Sequence, residues 1–404
     1  MKTETKALFS ESCPTLSKDV SISEGEDGFF VIEKHSTSQY FRTGYPVYCV
    51  ITLIEKGLCK QEILEQCGQL NLKINEEIYF YILKSLFQNG ILESDTITQK
   101  KRVPIYFRVK LLSENRINNI TTRLKFLFKP RLFPSLFLLS SFCTLVFVFK
   151  TKRVGTSLYD HSFSIIAMSM LLIIFLQVFH EIGHATASAT YGIETKEIGM
   201  GFFYGVIPVF YSNLSKIWIL PANKRIIANL GGIYFDVLLS AVCIAFWYIT
   251  NMYFFLLYPY VIFGVSLKNV NIFMRYDGYW VVADILRSPN LLQESKQAVM
   301  SLIRDRKLLL HMTKTRAMIL LVYGILSYVY VVFFMVFVFS VYFEEIVRFP
   351  QFVYSLSTLE SLDGVFSQLA VKGIWKIIFP LTFYVVLISK GVGMVKRIVT
   401  RRHL

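Results

Sequence analysis

The sequence predicts a mostly α-helical, polytopic membrane protein with a small N-terminal α+β domain. Hydrophobic residues make up 54% of the 404 residues and aromatic residues 16%, which is more than a soluble enzyme usually contains. Several windows of about 20 apolar residues are long enough to cross a bilayer. The region before the first window is more polar and has the apolar periodicity of a small folded domain.

About six transmembrane helices are expected from these windows. A basic linker over residues 113–130 leads into a catalytic transmembrane core, residues 131–300. A C-terminal part, residues 301–404, holds the last two helices and a basic tail. The six windows lie near residues 132–149, 163–184, 226–249, 253–273, 317–341 and 374–389.

The charge distribution predicts how the chain is oriented. The net charge is +15, but the Lys and Arg residues collect beside the predicted spans instead of on one soluble surface. This pattern favours contact with a lipid bilayer and argues against nucleic acid as a partner. Residues 1–28 are polar and acidic, so they are interpreted as a flexible tail and not as a signal peptide. We therefore expect a multi-pass protein of the cell membrane with both termini in the cytosol, although Lys150, Lys152 and Arg153 then lie outside.

The six cysteines show no C-x-x-C spacing, and four of them precede the first predicted span. Thiols in the cytosol stay reduced. Free thiols are therefore expected, with neither a disulfide framework nor a cysteine zinc site.

Residues 29–112 are predicted to form a winged-helix-like domain with one strand, two short helices and a longer third helix. Asn75 is the predicted N-cap of the third helix, and Gly90 is its predicted C-terminal stop. Ile78, Ile82 and Leu86 are predicted to form its apolar face. The strand is expected near residues 29–32 and the helices near residues 46–55, 60–70 and 75–89.

The order of these elements resembles the PqqD-like peptide-recognition domains of bacterial ribosomal-peptide modification systems. The likeness covers about 80 residues and lies mostly in core positions such as Leu53, Gly57, Leu83 and Gly90. It implies that a leader peptide adds a strand to an exposed sheet edge. A packing domain without a ligand is the alternative. A DNA-binding winged helix is less favoured, because the long helix carries Glu76 and Glu77.

His180, Glu181 and His184 form an H-E-x-x-H sequence at the end of the apolar run 163–179. Residues four apart lie on one face of a helix, so both imidazoles can bind the same metal ion. Glu181 is then placed beside the metal, where it can accept a proton from the attacking water. The alternative is a set of polar residues at a helix end, which would be costly inside a membrane.

A third protein ligand is expected, because catalytic zinc sites commonly use three and leave a fourth position open. Asp277 is the best candidate, since it directly follows the fourth predicted span and reaches the same membrane level as His180. Asp277 could instead pair with Arg275 at a helix end. Asp284 and Asp236 are possible substitute ligands.

These motifs together resemble the site-2 protease family of intramembrane zinc metallopeptidases, which pairs H-E-x-x-H with a later N-P-x-x-x-x-D-G. Asn271, Asp277 and Gly278 match the second motif, whereas Ile272 replaces its proline. The resemblance implies one zinc ion per chain, with Asp277 as a ligand. It also implies that Asn271 and Gly278 support the active site or the substrate backbone.

The likeness is closest to the bacterial peptide zinc metalloprotease branch and covers about residues 130–300. The loop 204–225 resembles that branch, and Gly231 and Gly232 resemble its Gly-Pro in the third span. Pro208 and Tyr211 are candidates to line a substrate groove, or else form a tight turn and an interfacial aromatic. The agreement in the second motif extends over Asn269, Asn271, Phe273, Arg275, Asp277, Gly278 and Tyr279.

The sequence therefore predicts an intramembrane zinc metalloendopeptidase. The expected substrate is a ribosomally made, modified or unmodified precursor peptide, recognised by residues 29–112. Export or modification proteins are further expected partners. Two alternatives remain: cleavage of a membrane-anchored regulator, and a zinc-binding export or immunity component that handles peptide without cutting it.

Overall fold

The computed structural model describes residues 13–25, 28–34, 39–93, 105–151, 163–203, 207–304 and 313–357, and short pieces of 376–388. The chain forms two compact units. The first unit comprises Met1–Val103, Tyr191–Glu194 and Leu214–Arg225. The second comprises Pro104–Thr190, Thr195–Asn213 and Ile226–Leu404.

The first unit contains an antiparallel sheet of three strands in the order β1-β2-β3, followed by three helices. Ile32 on the central strand packs into a core that the helices complete with Ile51, Ile63 and Leu83. The strands are β1 (Val20–Glu24), β2 (Phe30–Lys34) and β3 (Gln39–Thr43), and the helices are α1 (Tyr45–Glu55), α2 (Lys60–Gln69) and α3 (Glu76–Gln88).

Helix α3 matches the sequence prediction at its ends but not along its buried face. Asn75 caps the helix by accepting a hydrogen bond from the Ile78 amide at 2.8 Å, and Gly90 follows with a positive φ of 64°. Ile82 and Leu86 are buried as predicted, but Ile78 is 42% exposed. Tyr79 takes its place in the core, because a run of residues spaced by four drifts around a helix with 3.6 residues per turn.

Part of the segment predicted as a flexible tail, residues 1–28, forms strand β1. Val20–Glu24 pair with Phe30–Lys34 in antiparallel register. The alternating sequence V-S-I-S-E suits a strand with one buried face, and Val20 and Ile22 pack on the core.

The expectation that all cysteines are free is wrong for one pair, because Cys13 and Cys59 form a disulfide. The N-terminal segment runs back along the unit, with the Glu93 amide bonded to the Thr15 carbonyl at 2.8 Å. This return path brings Cys13 beside Cys59 at the start of α2, with their Cα atoms 4.6 Å apart. The other four cysteines are free thiols, as expected.

The first unit also includes a short segment from much later in the chain. A 3-10 helix, Ser215–Ile219, packs against β3. Ile217 and Leu220 are buried there. Arg225 is buried as well, donates a hydrogen bond to the Leu220 carbonyl and lies over the Trp218 ring at 5.5 Å.

The second unit is mostly helical. Among the described residues, three of its helices are long and apolar enough to cross a membrane, namely α5, α7 and α11. Length and composition therefore indicate a membrane protein. The unit's helices are α4 (Glu114–Leu124), α5 (Leu132–Lys150), α6 (Phe163–Thr190), α7 (Ala222–Thr250), α8 (Tyr253–Val270), α9 (Asp277–Ile285), α10 (Leu291–Arg304) and α11 (Lys314–Ser357), of which α7 begins in the first unit.

The other three predicted spans remain predictions. The windows near residues 163–184 and 253–273 fall on α6 and α8, and the window near 374–389 is only partly described. The fifth predicted span is correctly placed but too short. The helix that contains this window, α11, is 44 residues long and runs from Lys314 to Ser357.

A second antiparallel sheet belongs to this unit and has the order β4-β5-β6. Its strands are β4 (Ile105–Ser113), β5 (Glu197–Phe203) and β6 (Ile207–Ser212). Because β4 pairs with β5, the stretch just before the first predicted span is tied to the chain that directly follows α6.

Candidate metal centre

Helix α6 carries the H-E-x-x-H residues in its C-terminal half. His180, Glu181 and His184 are all buried, with at most 9% of each exposed. The two imidazoles face each other, as the four-residue spacing predicts, with their Nε2 atoms 3.1 Å apart.

The neighbouring helix α7 determines which nitrogen of each ring carries the proton. His180 Nδ1 lies 2.8 Å from the Asp236 carboxylate, and His184 Nδ1 lies 2.8 Å from the Ala228 carbonyl oxygen. Both oxygens accept hydrogen bonds, so each ring donates from Nδ1. When the ring is neutral, its Nε2 atom then carries the lone pair that can bind a metal ion.

Close packing of α6 on α7 makes these contacts possible. Gly183 and Gly231 meet at the crossing point, and a Cβ atom on Gly231 would lie 2.6 Å from the Gly183 carbonyl oxygen. A Cβ atom on Gly232 would lie 2.5 Å from the Nε2 atoms of both His180 and His184. The glycine at position 232 thus leaves the space in which both imidazole rings sit.

Asp277 reaches the same place from the turn between α8 and α9. It is the first residue of α9, and one of its carboxylate oxygens lies 3.1 Å from His180 Nε2 and the other 3.4 Å from His184 Nε2. Gly278 permits this position, because a Cβ atom there would be 2.2 Å from the Val270 carbonyl oxygen. His180, His184 and Asp277 form the group among the described residues that could hold a metal ion.

The chemistry of this group fits a cation. Two Nε2 atoms and a carboxylate converge, and Asp277 Oδ2 is buried without a hydrogen-bond partner in the described structure. Converging acceptors repel one another unless a positive charge lies among them. Ligands about 2.0–2.1 Å from zinc at tetrahedral angles lie about 3.3 Å apart. The observed separations of 3.1–3.4 Å match that spacing.

The alternative ligands are placed elsewhere. Asp236 lies on the Nδ1 side of His180, away from the converging atoms. Asp284 is buried and accepts a hydrogen bond from Asn229 at 3.3 Å. The sequence reasoning therefore overlooked the position of Asp236 as a hydrogen-bond partner of a candidate ligand. The four-residue spacing of Ala228, Gly232 and Asp236 along α7 was the available signal.

Asn269, rather than Asn271, lies beside the group. Asn269 is buried, with its amide nitrogen 3.5 Å from the His180 ring. Asn271 instead accepts a hydrogen bond from the Phe273 amide at 2.8 Å and donates one to the Tyr330 hydroxyl on α11. It thereby fixes the turn that leads to Asp277.

Ile272, which stands where the motif has proline, takes part in the same turn. Its carbonyl oxygen accepts a hydrogen bond of 2.6 Å from the Tyr323 hydroxyl. Two tyrosines of α11, Tyr323 and Tyr330, therefore hold the turn in this chain.

Pro208 and Tyr211 both lie on strand β6. Pro208 is exposed and opposite Phe202 in the ladder with β5. The Tyr211 ring covers Gly199 and its hydroxyl donates to the Glu197 carboxylate at 3.2 Å. Tyr211 thus supports the sheet itself, and its assignment to a substrate groove remains a prediction.

Lys268 adds a positive charge near the group. Its ammonium lies over the Tyr276 ring, 5.4 Å from the ring centre. It interacts electrostatically with Asp277, Asp236 and Glu181. The Lys268 ammonium therefore lies within electrostatic range of three carboxylates of this site.

The site combines an H-E-x-x-H helix with a distant carboxylate, an arrangement suited to a metallopeptidase. A Bacillus subtilis (strain 168) protein named "Putative peptide zinc metalloprotease protein YydH" is 25% identical to this chain over 177 residues. The alignment covers 42% of this chain and 64% of YydH. No protein-family model matches the chain, and no solved structure matches it. The likeness supports a relationship to zinc metalloproteases and nothing narrower.

Proposed function

We propose that this protein is a membrane zinc metalloendopeptidase that hydrolyses peptide bonds. The observation that carries the proposal is the convergence of the His180 and His184 Nε2 atoms with the Asp277 carboxylate. Glu181 follows His180 directly in the same helix. His180, His184 and Asp277 would hold the zinc ion. When bound, zinc supplies a Lewis acid that lowers the pKa of water from 15.7 to roughly 7.

The protein's own residues supply the proton transfers and the substrate's position. Glu181 accepts a proton from the attacking water and delivers it to the leaving amine. Asn269 offers a neutral amide donor to the substrate carbonyl beside His180. Lys268 offsets the negative charge of the carboxylates, which lowers the cost of holding them in an apolar environment.

We further propose that the substrate is a ribosomally made peptide. The word "peptide" in the name of YydH supports a peptide as the substrate. The first unit would bind the precursor at a sheet edge through backbone hydrogen bonds, as its resemblance to PqqD-like domains implies. Its role is recognition, because the candidate catalytic residues all belong to the second unit.

Glu181→Gln tests the catalytic role. The amide cannot accept the proton from water, so turnover of a quenched fluorescent peptide library should fall by about 10²- to 10⁴-fold. Zinc content should be retained. Glu194→Gln is the matched control, since Glu194 is exposed, and its turnover should equal that of the wild type. Near-normal hydrolysis by Glu181→Gln would reject this mechanism, and hydrolysis by neither the wild type nor the control would favour peptide handling without cleavage.

A further inference from the structure

Three residues of α7 line one face and contact the candidate ligands. Ala228, Gly232 and Asp236 are spaced by four, so they lie above one another along the helix. Ala228 binds His184 through its carbonyl oxygen, and Asp236 binds His180 through its carboxylate. Gly232, between them, leaves space for both rings. One helix face therefore orients both imidazoles.

The two histidines differ in the charge of their partner. His184 donates to a neutral peptide carbonyl, whereas His180 donates to a carboxylate. Both His180 and Asp236 are buried, with 4% and 3% exposed. Hydrogen bonds with an ionised partner are roughly twice as strong as neutral ones. A carboxylate on Nδ1 also makes Nε2 a stronger donor to a metal ion.

We propose that Asp236 is a positioning residue that fixes the Nδ1-protonated form of His180 and strengthens its Nε2 as a metal ligand. The proposal rests on the proposed metallopeptidase function for its metal, but the hydrogen bond itself does not require one. Asp236 acts through His180, and it does not touch the substrate or the metal.

Two substitutions separate charge from shape. Asp236→Asn keeps an acceptor oxygen and removes the charge, whereas Asp236→Leu removes both. Asp284→Asn is the matched control, because Asp284 is also a buried carboxylate of the same unit but bonds to Asn229. Zinc affinity of the detergent-purified full chain is measured by competition with a chelator. Loss of a hydrogen-bond partner behind a metal ligand typically lowers metal affinity by about 10- to 100-fold.

We expect zinc affinity to fall about 10-fold in Asp236→Asn, about 100-fold in Asp236→Leu and less than 3-fold in Asp284→Asn. Cobalt substitution adds a spectroscopic test, since the visible absorption bands should shift in the Asp236 variants and stay unchanged in the control. Wild-type affinity and spectra in Asp236→Asn and Asp236→Leu would overturn the proposal. An equal loss of zinc affinity in all three variants would also overturn the proposal, because the loss would then follow from removing any buried carboxylate of this unit.

The metal-free protein provides an independent test. Histidine-selective ¹⁵N NMR of the full chain should show His180 protonated at Nδ1 in the wild type and Asp284→Asn, and a changed form in Asp236→Leu. An unchanged His180 signal in Asp236→Leu would overturn the proposal. If the wild type binds no zinc, the metallopeptidase function fails, while the NMR signal still decides whether Asp236 sets the protonation of His180.

Discussion

At the scale of single residues, the candidate metal centre depends on the glycine at position 232, which has no side chain. A methyl group on Gly232 would lie 2.5 Å from both Nε2 atoms, and non-bonded contacts of Cβ atoms essentially never fall below 3.0 Å. The space that glycine leaves is the space that the two rings occupy. The positions of the two rings therefore depend on α7, which leaves the space, as well as on α6, which carries the histidines.

Gly232→Ala should abolish stoichiometric zinc binding, because the added methyl group displaces both imidazoles. Metal analysis of the purified protein measures this loss. Gly264→Ala on α8 is the control, since a Cβ atom there meets nothing within 4 Å. It should retain zinc and gain about 0.5–1 kcal/mol of stability from replacing glycine inside a helix. Zinc bound normally by Gly232→Ala would contradict the described packing.

Tyr79 offers a test in the first unit. Its hydroxyl is buried without a hydrogen-bond partner in the described structure, and burial, with a smaller contribution from Cys67, raises its pKa to about 12. The folded state therefore resists its deprotonation, and that contribution to stability is present below pH 10 and disappears as the pH rises from about 10 to about 12.

Tyr79→Phe should stabilise the protein by about 1 kcal/mol at pH 7, since it removes an unpaired buried hydroxyl. It should also lessen the loss of stability between about pH 10 and pH 12. Thermal unfolding of the detergent-purified chain at several pH values measures both effects. Tyr81→Phe, at a position 73% exposed, serves as the control and should behave as the wild type does. A destabilised Tyr79→Phe would reveal a hydrogen bond to that hydroxyl.

At the scale of elements, local signals predicted more than non-local ones. The cap at Asn75 and the H-E-x-x-H spacing depend on residues a few positions apart, and the structure places both as expected. Asp236 and Asn269 lie beside His180 only because α7 and α8 pack against α6, which no local pattern specifies. The four-residue spacing of Ala228, Gly232 and Asp236 indicates one face of α7, but it does not specify that His180 lies against that face.

Strands were the least predictable elements. The linker predicted at residues 113–130 is helical from Glu114, but β4 before it and the β5–β6 hairpin were not predicted. Their partners lie far apart in sequence, since Val109 pairs with Met200. Such pairings depend on the tertiary fold, and strand propensity is a weak guide to them.

The disulfide between Cys13 and Cys59 links the N-terminal segment to the start of α2. Closing a loop of 46 residues stabilises a fold by about 4 kcal/mol in the chain-entropy view. Cys13→Ser should therefore lower the thermal midpoint of the first unit under oxidising conditions, and dithiothreitol should lower that of the wild type to the same value. Cys143→Ser, which removes a free thiol, is the control. A wild-type midpoint unchanged by dithiothreitol would show that the bond does not form.

At the scale of the whole molecule, the first unit is assembled from three segments of the chain. The sequence suggested a continuous domain over residues 29–112, and its boundaries remain predictions, because a compact unit and an independently folding domain are different properties. The segment Leu214–Arg225 could not be assigned to this unit from sequence, since it lies more than a hundred positions after Val103.

Two deletions test this organisation. Removing residues 1–103 leaves β4 and its pairing with β5 intact, so zinc binding and cleavage of a short peptide should persist, while processing of a natural precursor should fall. Removing residues 1–112 also deletes most of β4, and the protein should express poorly or lose zinc. Size-exclusion chromatography and metal analysis compare the two. Equal behaviour of both deletions would show that β4 is dispensable, and unimpaired precursor processing by the shorter deletion would remove the recognition role.

The segment Ser215–Ile219 also limits the design of chimaeric proteins that contain part of this chain. Its packing against β3 means that exchanging only the first hundred residues with those of another protein would leave a mismatched surface around Ile217 and Leu220. A working chimaera therefore needs to replace the two later segments together with the N-terminal one. Evolutionary changes on the β3 surface would have the same requirement, with paired substitutions at positions more than a hundred residues apart.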